Sequence, residues 1–297
     1  MKYVITGGAG NISKPLAEKL IAAGHEVTIV GRNPQHLKPL TDKGASAAIG
    51  SVEDVAFLTQ TFTGADAVYT MVPPTMTAPD WKAYIGQIGK NYAAAIKAAG
   101  VKYVVNLSSI GAHMPEGAGP VSGLYRGEQA LNELADVNIV HLRPSYFYTN
   151  LLANIPMVKG MNILGSNISK ATDKIILTHP DDIADVAADE LLNLRFTGHS
   201  VRNIASDERT GVEVAKALGA AVGKPDLPYV EFNDDDTLNG LKSAGLPEEV
   251  AKNYTEMGHA LRTGAMVEDY YKNPPPQLGK TKLEAFARQF AAAYNAS

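Results

Sequence analysis

The run Thr6-Gly7-Gly8-Ala9-Gly10-Asn11-Ile12-Ser13 is the first place where residue types and spacing together suggest chemistry. Glycines permit positive φ and let a backbone approach a ligand closely, and a helix opening behind them offers free N–H groups to an anion such as a pyrophosphate. The spacing is Gly-x-x-Gly-x-x-Ser rather than Gly-x-Gly-x-x-Gly, so its placement has to carry the reading. A β-rich run at residues 3–6 precedes it, and Ile12, Leu16, Ala17, Leu20 and Ile21 recur behind it at helical spacing. Strand, glycine loop and helix predict a nucleotide site at Gly7, Gly10, Asn11, Ile12 and Ser13, the alternative being a turn that only connects two elements.

The end of the next strand points to the kind of nucleotide. A site for a dinucleotide with free ribose hydroxyls usually places an acid there, but the residues are Val30-Gly31-Arg32-Asn33. Glu26 lies at the wrong end of that strand. The planar fork of Arg32 suits a 2′-phosphate, so NADP(H) is expected over NAD(H); the alternative is a surface charge beside a loop.

Other chemistries find less support. There are no cysteines, which removes thiolate nucleophiles, disulfides and sulfur-ligated metal. No two of the seven histidines stand at i, i+4 with a nearby glutamate, and no metal site is expected. Ser108-Ser109 lacks the flanking glycines of a nucleophile elbow, because Asn106 stands at the first required position. The acidic run at residues 233–236 reads as a solvated helix start, and the aromatic stripe from Trp81 to Tyr92 as core and interface packing.

The elements that must hold the glycine loop and Arg32 alternate regularly. Runs at 3–6, 27–30, 45–49, 67–72, 103–108 and 139–142 have strand character, separated by amphipathic stretches that stop at Gly24, Gly64 and Gly100. This alternation predicts an α/β fold, a Rossmann-type doubly wound parallel sheet over residues 1–150. Beyond residue 150 the rhythm becomes irregular, with strand-like runs at 174–178, 201–205 and 229–232. A smaller mixed α/β region, residues 151–297, is expected to bind substrate and to return strands to the main sheet. Thr210-Gly211-Val212-Glu213 and Thr281-Lys282-Leu283-Glu284 have capping-box spacing and should each open a helix.

A length of 297 residues allows one large or two modest domains, and 45% hydrophobic with 20% charged residues is ordinary globular composition. The net charge of −4 supplies no basic field for a phosphate backbone, so direct nucleic-acid binding is not expected. No apolar run approaches the ~18 residues of a membrane span, and a cytoplasmic location without membrane contact is the expectation.

Three further runs carry a resemblance. With Gly31-Arg32-Asn33-Pro34, Leu142-Arg143-Pro144-x-x-Phe147-x-x-Asn150 and His179-Pro180-Asp181-Asp182-Ile183-Ala184, the chain resembles the NmrA-like branch of the atypical short-chain dehydrogenase/reductases. That branch includes NAD(P)H-dependent quinone and azo-dye reductases and dinucleotide-sensing regulators. The resemblance implies pyrophosphate contacts at Gly7, Gly10, Asn11 and Ile12, and a 2′-phosphate contact at Arg32. It implies an adenine-side segment at Gly50, Ser51 and Val52, with Ser51 where relatives often carry aspartate. Met71, Val72, Pro73 and Ser108 would line the ribose and nicotinamide, and Pro144, Ser145, Tyr146 and Phe147 would wall the nicotinamide pocket.

Many members of that superfamily use Tyr-x-x-x-Lys, in which the cation lowers the tyrosine pKa enough for proton transfer near neutrality. None of the 13 tyrosines here has lysine four places later; the best-positioned, Tyr125, is followed by Gln129. Reduction of an electron-poor acceptor needs less, because NADPH delivers hydride and solvent or a weak donor supplies the proton. Ser108 or Tyr125 would orient such an acceptor, and Tyr146 and Phe147 would pack its ring. The leading reading is an NADPH-dependent reductase of quinones or similar small conjugated acceptors. The alternative is a dinucleotide-bound sensor with little turnover, acting through a protein partner. Homo-oligomerisation stays open, and acceptor choice is expected to rest on the loops 114–122 and 151–171.

Overall fold

The computed structural model describes the whole chain, Met1–Ser297. Its first strand, β1 (Lys2–Ile5), buries Tyr3, Val4 and Ile5 in succession, as a strand covered on both faces must. The chain continues through α1 (Ser13–Ala22), β2 (Glu26–Gly31), α2 (Pro34–Thr41), β3 (Ser46–Ile49), α3 (Val55–Phe62) and β4 (Ala67–Thr70). Next come α4 (Trp81–Ala99), β5 (Tyr103–Leu107), α5 (Pro120–Asn132) and β6 (Asn138–Pro144). The remainder holds β7 (Tyr146–Phe147), a 3-10 turn over Tyr148–Asn154, α6 (Ile155–Gly160), β8 (Leu164–Ser166), β9 (Lys174–Thr178), α7 (Pro180–Asn193) and β10 (His199–Ile204). It ends with β11 (Asp207–Thr210), α8 (Gly211–Ala221), β12 (Tyr229–Glu231), α9 (Asp234–Ser243), α10 (Glu248–Arg262), α11 (Glu268–Lys272) and α12 (Leu283–Ala296).

Seven parallel strands form the main sheet in the order β10-β6-β5-β4-β1-β2-β3. The chain winds outward from β1 to β3 in one direction and from β4 to β10 in the other. The order therefore reverses between β1 and β4, where open α/β sheets leave a crevice at their carboxyl ends. Alternate residues feed two cores. Tyr3 and Ile5 join Leu16 and Leu20 of α1, Leu37 of α2, and Ile183 and Leu191 of α7. Val4 joins Phe62 of α3, Tyr92 and Ile96 of α4 and Leu131 of α5 on the other face. Three short strands in the order β11-β9-β7 and the pair β12-β8 make two small sheets, and α8 and α12 close a third core around Phe286 and Phe290.

The expected strands are present, and the returning strand is β10, which pairs in parallel with β6. Two features differ from expectation. No helix was anticipated between β2 and β3, yet α2 forms there: Asn33 caps it by accepting from Gln35 N at 2.9 Å, and Pro34 occupies its first turn. The capping box at Thr210 forms with Glu213, but the one at Thr281 does not. Thr281 instead donates its N–H and hydroxyl to the buried Asp182 of α7 at 3.1 Å each, and Glu284 pairs with Arg209. Long-range partners there outcompete the local cap.

A buried polar chain crosses the sheet. Thr70 donates to Asn106 at 2.9 Å, Asn106 Nδ2 meets His141 Nδ1 at 3.0 Å, and His141 Nε2 meets Asn132 of α5 at 3.0 Å. Such a chain satisfies groups that would otherwise be buried unpaired. No helix is long and apolar enough to cross a membrane.

Candidate functional site

The carboxyl ends of β1 to β5, the residues after β6 and one face of α10 open onto a cleft of about 1630 Å³. Pockets for single small molecules run to roughly 300–1,000 Å³, so this one has room for a dinucleotide and a second ligand together.

Its floor is the glycine loop. Gly7 sits at φ +92°, and a Cβ there would lie 2.5 Å from Ser13 Oγ and 2.9 Å from Met71 Sδ. Gly8 N donates to Val30 O at 2.9 Å and Ser13 Oγ to Thr6 O at 2.8 Å, which fixes the loop against β2 and against its own strand. The N–H groups of Asn11, Ile12 and Ser13 find no acceptor in the chain, whereas Lys14 N already bonds Gly10 O. Three free donors at the start of α1 make a cradle for an anion.

At one end of the cleft stand Lys14, Arg32 and His36, and none of them is ion-paired. Glu53 shares this end and accepts the Tyr84 hydroxyl at 3.0 Å. Burial and that carboxylate push the Tyr84 phenol up, while the nearby charge of Arg32 pulls it down. The segment Gly50–Glu53 is pinned to α4 by Asn91, whose Nδ2 donates to the carbonyls of Val52 and Glu53 at 3.3 Å.

The other end is uncharged. After β4, Met71 N donates to Thr6 Oγ1 at 3.0 Å and Met71 O accepts from Tyr92 at 2.7 Å, so these bonds end the strand at Thr70, two residues before its expected limit. Ser108, just past β5, is buried with its hydroxyl unpartnered. Tyr146 and Tyr254 of α10 both line this end; burial raises both phenols above the ordinary tyrosine value, and the neighbouring Tyr229 and Tyr254 raise Tyr146 further. Met257, Leu261 and Met266 complete this wall. Behind it Arg143 is buried and donates to Glu128 at 3.0 and 2.5 Å, to Asp269 at 2.9 Å and to the carbonyl of Ala112 at 3.3 Å, locking β6, α5 and α11 together.

A family model described as NAD(P)H-binding matches residues 7–172, more than half the chain, including the glycines of the loop and the Arg32 region just described. The chain belongs to the NAD(P)H-binding family. A (4-alkanoyl-5-oxo-2,5-dihydrofuran-3-yl)methyl phosphate reductase of Streptomyces griseus is 27% identical over 263 residues, 88% of each chain. An NAD(P)H azoreductase of Xenophilus azovorans is 25% identical over 298 residues, 99% of each chain. In fold the chain is similar to an NADPH-dependent quinone oxidoreductase of Escherichia coli solved with NADPH, with a TM-score of 0.82 at 22% identity over 97% of this chain and 99% of that one.

In this NAD(P)H-binding protein the cleft brings together every residue anticipated for cofactor contact except Pro144. Pro144 is buried at the end of β6, where its carbonyl accepts from Ile110 N, so it positions its neighbours instead of lining the cleft. Ser13 lines the cleft, but its hydroxyl is committed to Thr6. Tyr125 does not line it: it is half-buried on α5, and only the preceding Leu124 reaches the wall. The aromatic stripe of α4 is divided, with Trp81 and Tyr92 in cores and Tyr84 in the cleft.

Sequence reasoning missed Lys14, His36, Glu53, Tyr84 and the α10 face. Nor do the two expected loops shape the uncharged end; residues 114–122 and 151–171 are absent from its lining. Tyr254, Met257 and Leu261 recur at helical spacing, so a face was legible. What it covers was not, because nothing local directs α10 towards the crevice.

Proposed function

We propose that the protein is an NADPH-dependent reductase that passes hydride to a quinone-like or other small conjugated acceptor. The observation that carries this reading is the division of one cleft into an end with three unpaired basic side chains and an uncharged end of hydroxyls, phenols and apolar groups. The full-length relatives named as reductases support the reaction class.

The residues fit a dinucleotide. Gly7 holds the positive φ that the turn of the loop needs, three free N–H groups would meet the pyrophosphate, and Arg32 would take the 2′-phosphate. Glu53, engaged by Tyr84, is the one carboxylate at that end. NADPH, when bound, supplies the hydride. The chain's own part is to bind, orient and exclude water. The unpartnered hydroxyl of Ser108 orients the reacting rings, and Tyr146 and Phe147 pack against them. Tyr146 and Tyr254 stay protonated near neutrality, because their pKa values are raised, so they donate hydrogen bonds and the proton comes from solvent. In this scheme residues 1–150 hold the dinucleotide and residues 151–297 supply the acceptor side. A wall from α10 over the reacting end favours an enzyme over a sensor with an open docking face.

The test is anaerobic NADPH oxidation against a panel of quinones, with NADH in parallel and bound cofactor quantified. Turnover that prefers NADPH supports the proposal. Tight binding without turnover would move the protein to the sensor class, and no binding would overturn both readings.

A further inference from the structure

Every lysine, arginine, histidine and carboxylate that lines the cleft precedes residue 54 in the chain: Lys14, Arg32, His36 and Glu53. From Met71 onward the lining has no lysine, arginine, histidine, aspartate or glutamate. Four cations carried by the surrounding elements are already neutralised. Lys82 at the start of α4 pairs with Glu256 at 2.8 Å, Arg126 of α5 with Glu116 at 2.6 Å, Arg143 of β6 with Glu128 and Asp269, and Arg262 of α10 with Asp234 at 2.9 Å. The donors that remain free are neutral, among them the hydroxyl of Ser108 and the phenols of Tyr146 and Tyr254, neither of which is hydrogen-bonded within the chain. Tyr254 is held in place by Trp81, edge-on with ring centroids 5.3 Å apart.

We propose, resting on the reductase reading above, that the uncharged end admits neutral planar carbonyl acceptors and rejects those bearing a sulfonate, carboxylate or phosphate, with Tyr254 donating a hydrogen bond to the acceptor's carbonyl oxygen. An anion entering this end would lose its water and gain neither a cation nor a charged donor, which is strongly unfavourable. A neutral carbonyl loses little and gains a donor. The reaction balances as NADPH + quinone + H⁺ → NADP⁺ + hydroquinone: hydride carries two electrons and one proton to the acceptor, and water supplies the other proton.

The experiment compares 1,4-naphthoquinone with 1,4-naphthoquinone-2-sulfonate as acceptors for NADPH. The sulfonate withdraws electrons and makes hydride acceptance intrinsically easier, so slower turnover of that compound reports rejection by the site. We expect kcat/KM for the neutral quinone to exceed that for the sulfonate by about tenfold or more. Met257→Lys should bring the two within about threefold by supplying the missing cation, and Asn150→Lys, at an exposed position that also lines the cleft, repeats the test should Met257→Lys not fold. Tyr254→Phe keeps the ring against Trp81 and should lower kcat/KM for the neutral quinone about tenfold without changing the NADPH Kd. Equal use of both quinones by the wild type, or a ratio unmoved by either lysine, would overturn the proposal while leaving the reductase reading intact. Absence of all turnover would overturn the reductase reading instead. Acceptor selection is then read from the fluorescence of Trp81, the single tryptophan, in protein saturated with NADP⁺. Quenching at lower concentration by the neutral quinone supports it, and equal quenching overturns it.

Discussion

The Ser13 hydroxyl occupies the space that a Cβ on Gly7 would need: the two would lie 2.5 Å apart, and that hydroxyl is already bonded to Thr6 O at 2.8 Å. The loop is thus tied shut by a side chain at the position where the common fingerprint has a third glycine for close packing. Substituting Ala for Gly7 must displace Ser13 or Met71 and also hold alanine at φ +92°. Gly7→Ala is expected to destabilise the fold by roughly 1–3 kcal/mol and to weaken NADPH binding, read by chemical denaturation and by calorimetric titration.

In the proposed scheme Arg32 is the group that would separate the two dinucleotides. Arg32→Ala should raise the NADPH Kd by about tenfold or more and leave the NADH Kd nearly unchanged, since a charge-assisted hydrogen bond to phosphate contributes about 1.5–3 kcal/mol. Parallel fluorescence titrations check this. An equal loss for both cofactors would remove the 2′-phosphate from the role of Arg32.

Ser108 and Tyr125 were the two side chains expected to orient an acceptor, and the structure separates them. Ser108 lines the cleft with a free hydroxyl; Tyr125 lies outside it. Ser108→Ala should lower kcat while leaving the melting temperature and NADPH Kd close to wild type, because no intramolecular bond is lost. Tyr125→Phe should leave turnover unchanged. Steady-state kinetics on both variants decide.

Arg143 and Glu128 form a buried ion pair, 9% and 2% exposed. Removing one partner strands the other, so Glu128→Ala should cost about 3–5 kcal/mol of stability. An apolar pair, Glu128→Leu with Arg143→Met, should recover part of that loss in urea denaturation, although Asp269 then loses a partner as well.

His141 predicts the acid limb of stability. Burial lowers its pKa; Glu128 opposes this, while Arg143 and His199 add to it. A histidine with a depressed folded pKa contributes stability that is present above its unfolded value of about 6.5 and is lost as pH falls through the folded value. Unfolding free energy should therefore begin to decline below about pH 6.5, before the carboxylates titrate. Denaturation curves from pH 8 to 4 check this, and His141→Gln should flatten the first part of the decline.

The nucleotide half was legible because its signals are local. A glycine loop between a strand and an amphipathic helix has one common arrangement, and Arg32 stands a fixed distance along the chain from it. The cap of α2 is equally local, Asn33 followed by Pro34, but a second proline, Pro39, stands inside the helix, where that residue ordinarily breaks one. The uncharged end was not legible. Tyr254 reaches Tyr146 and Trp81 across more than a hundred residues of chain, and Thr281 abandons a good local cap for Asp182. Contacts of that range are fixed by packing, which leaves no mark in residue spacing.

The last strand of the main sheet, β10, is residues His199–Ile204, added after the chain has built α6, three strands of the smaller sheets and α7. During synthesis, then, β6 emerges long before its neighbour and must wait with an open, apolar edge. Meanwhile the face that α7 will cover with Ile183, Ala184 and Leu191 stays bare. Such an edge invites pairing with another chain. A fragment ending at residue 150 would carry the whole phosphate cradle and still be expected to aggregate, whereas one extended past Ile204 gains the missing neighbour. Residues 1–150 thus hold the phosphate cradle in one stretch but lack the strand and helix that complete their sheet, and the nascent protein is expected to be most exposed to a chaperone's attention in the interval between those two points.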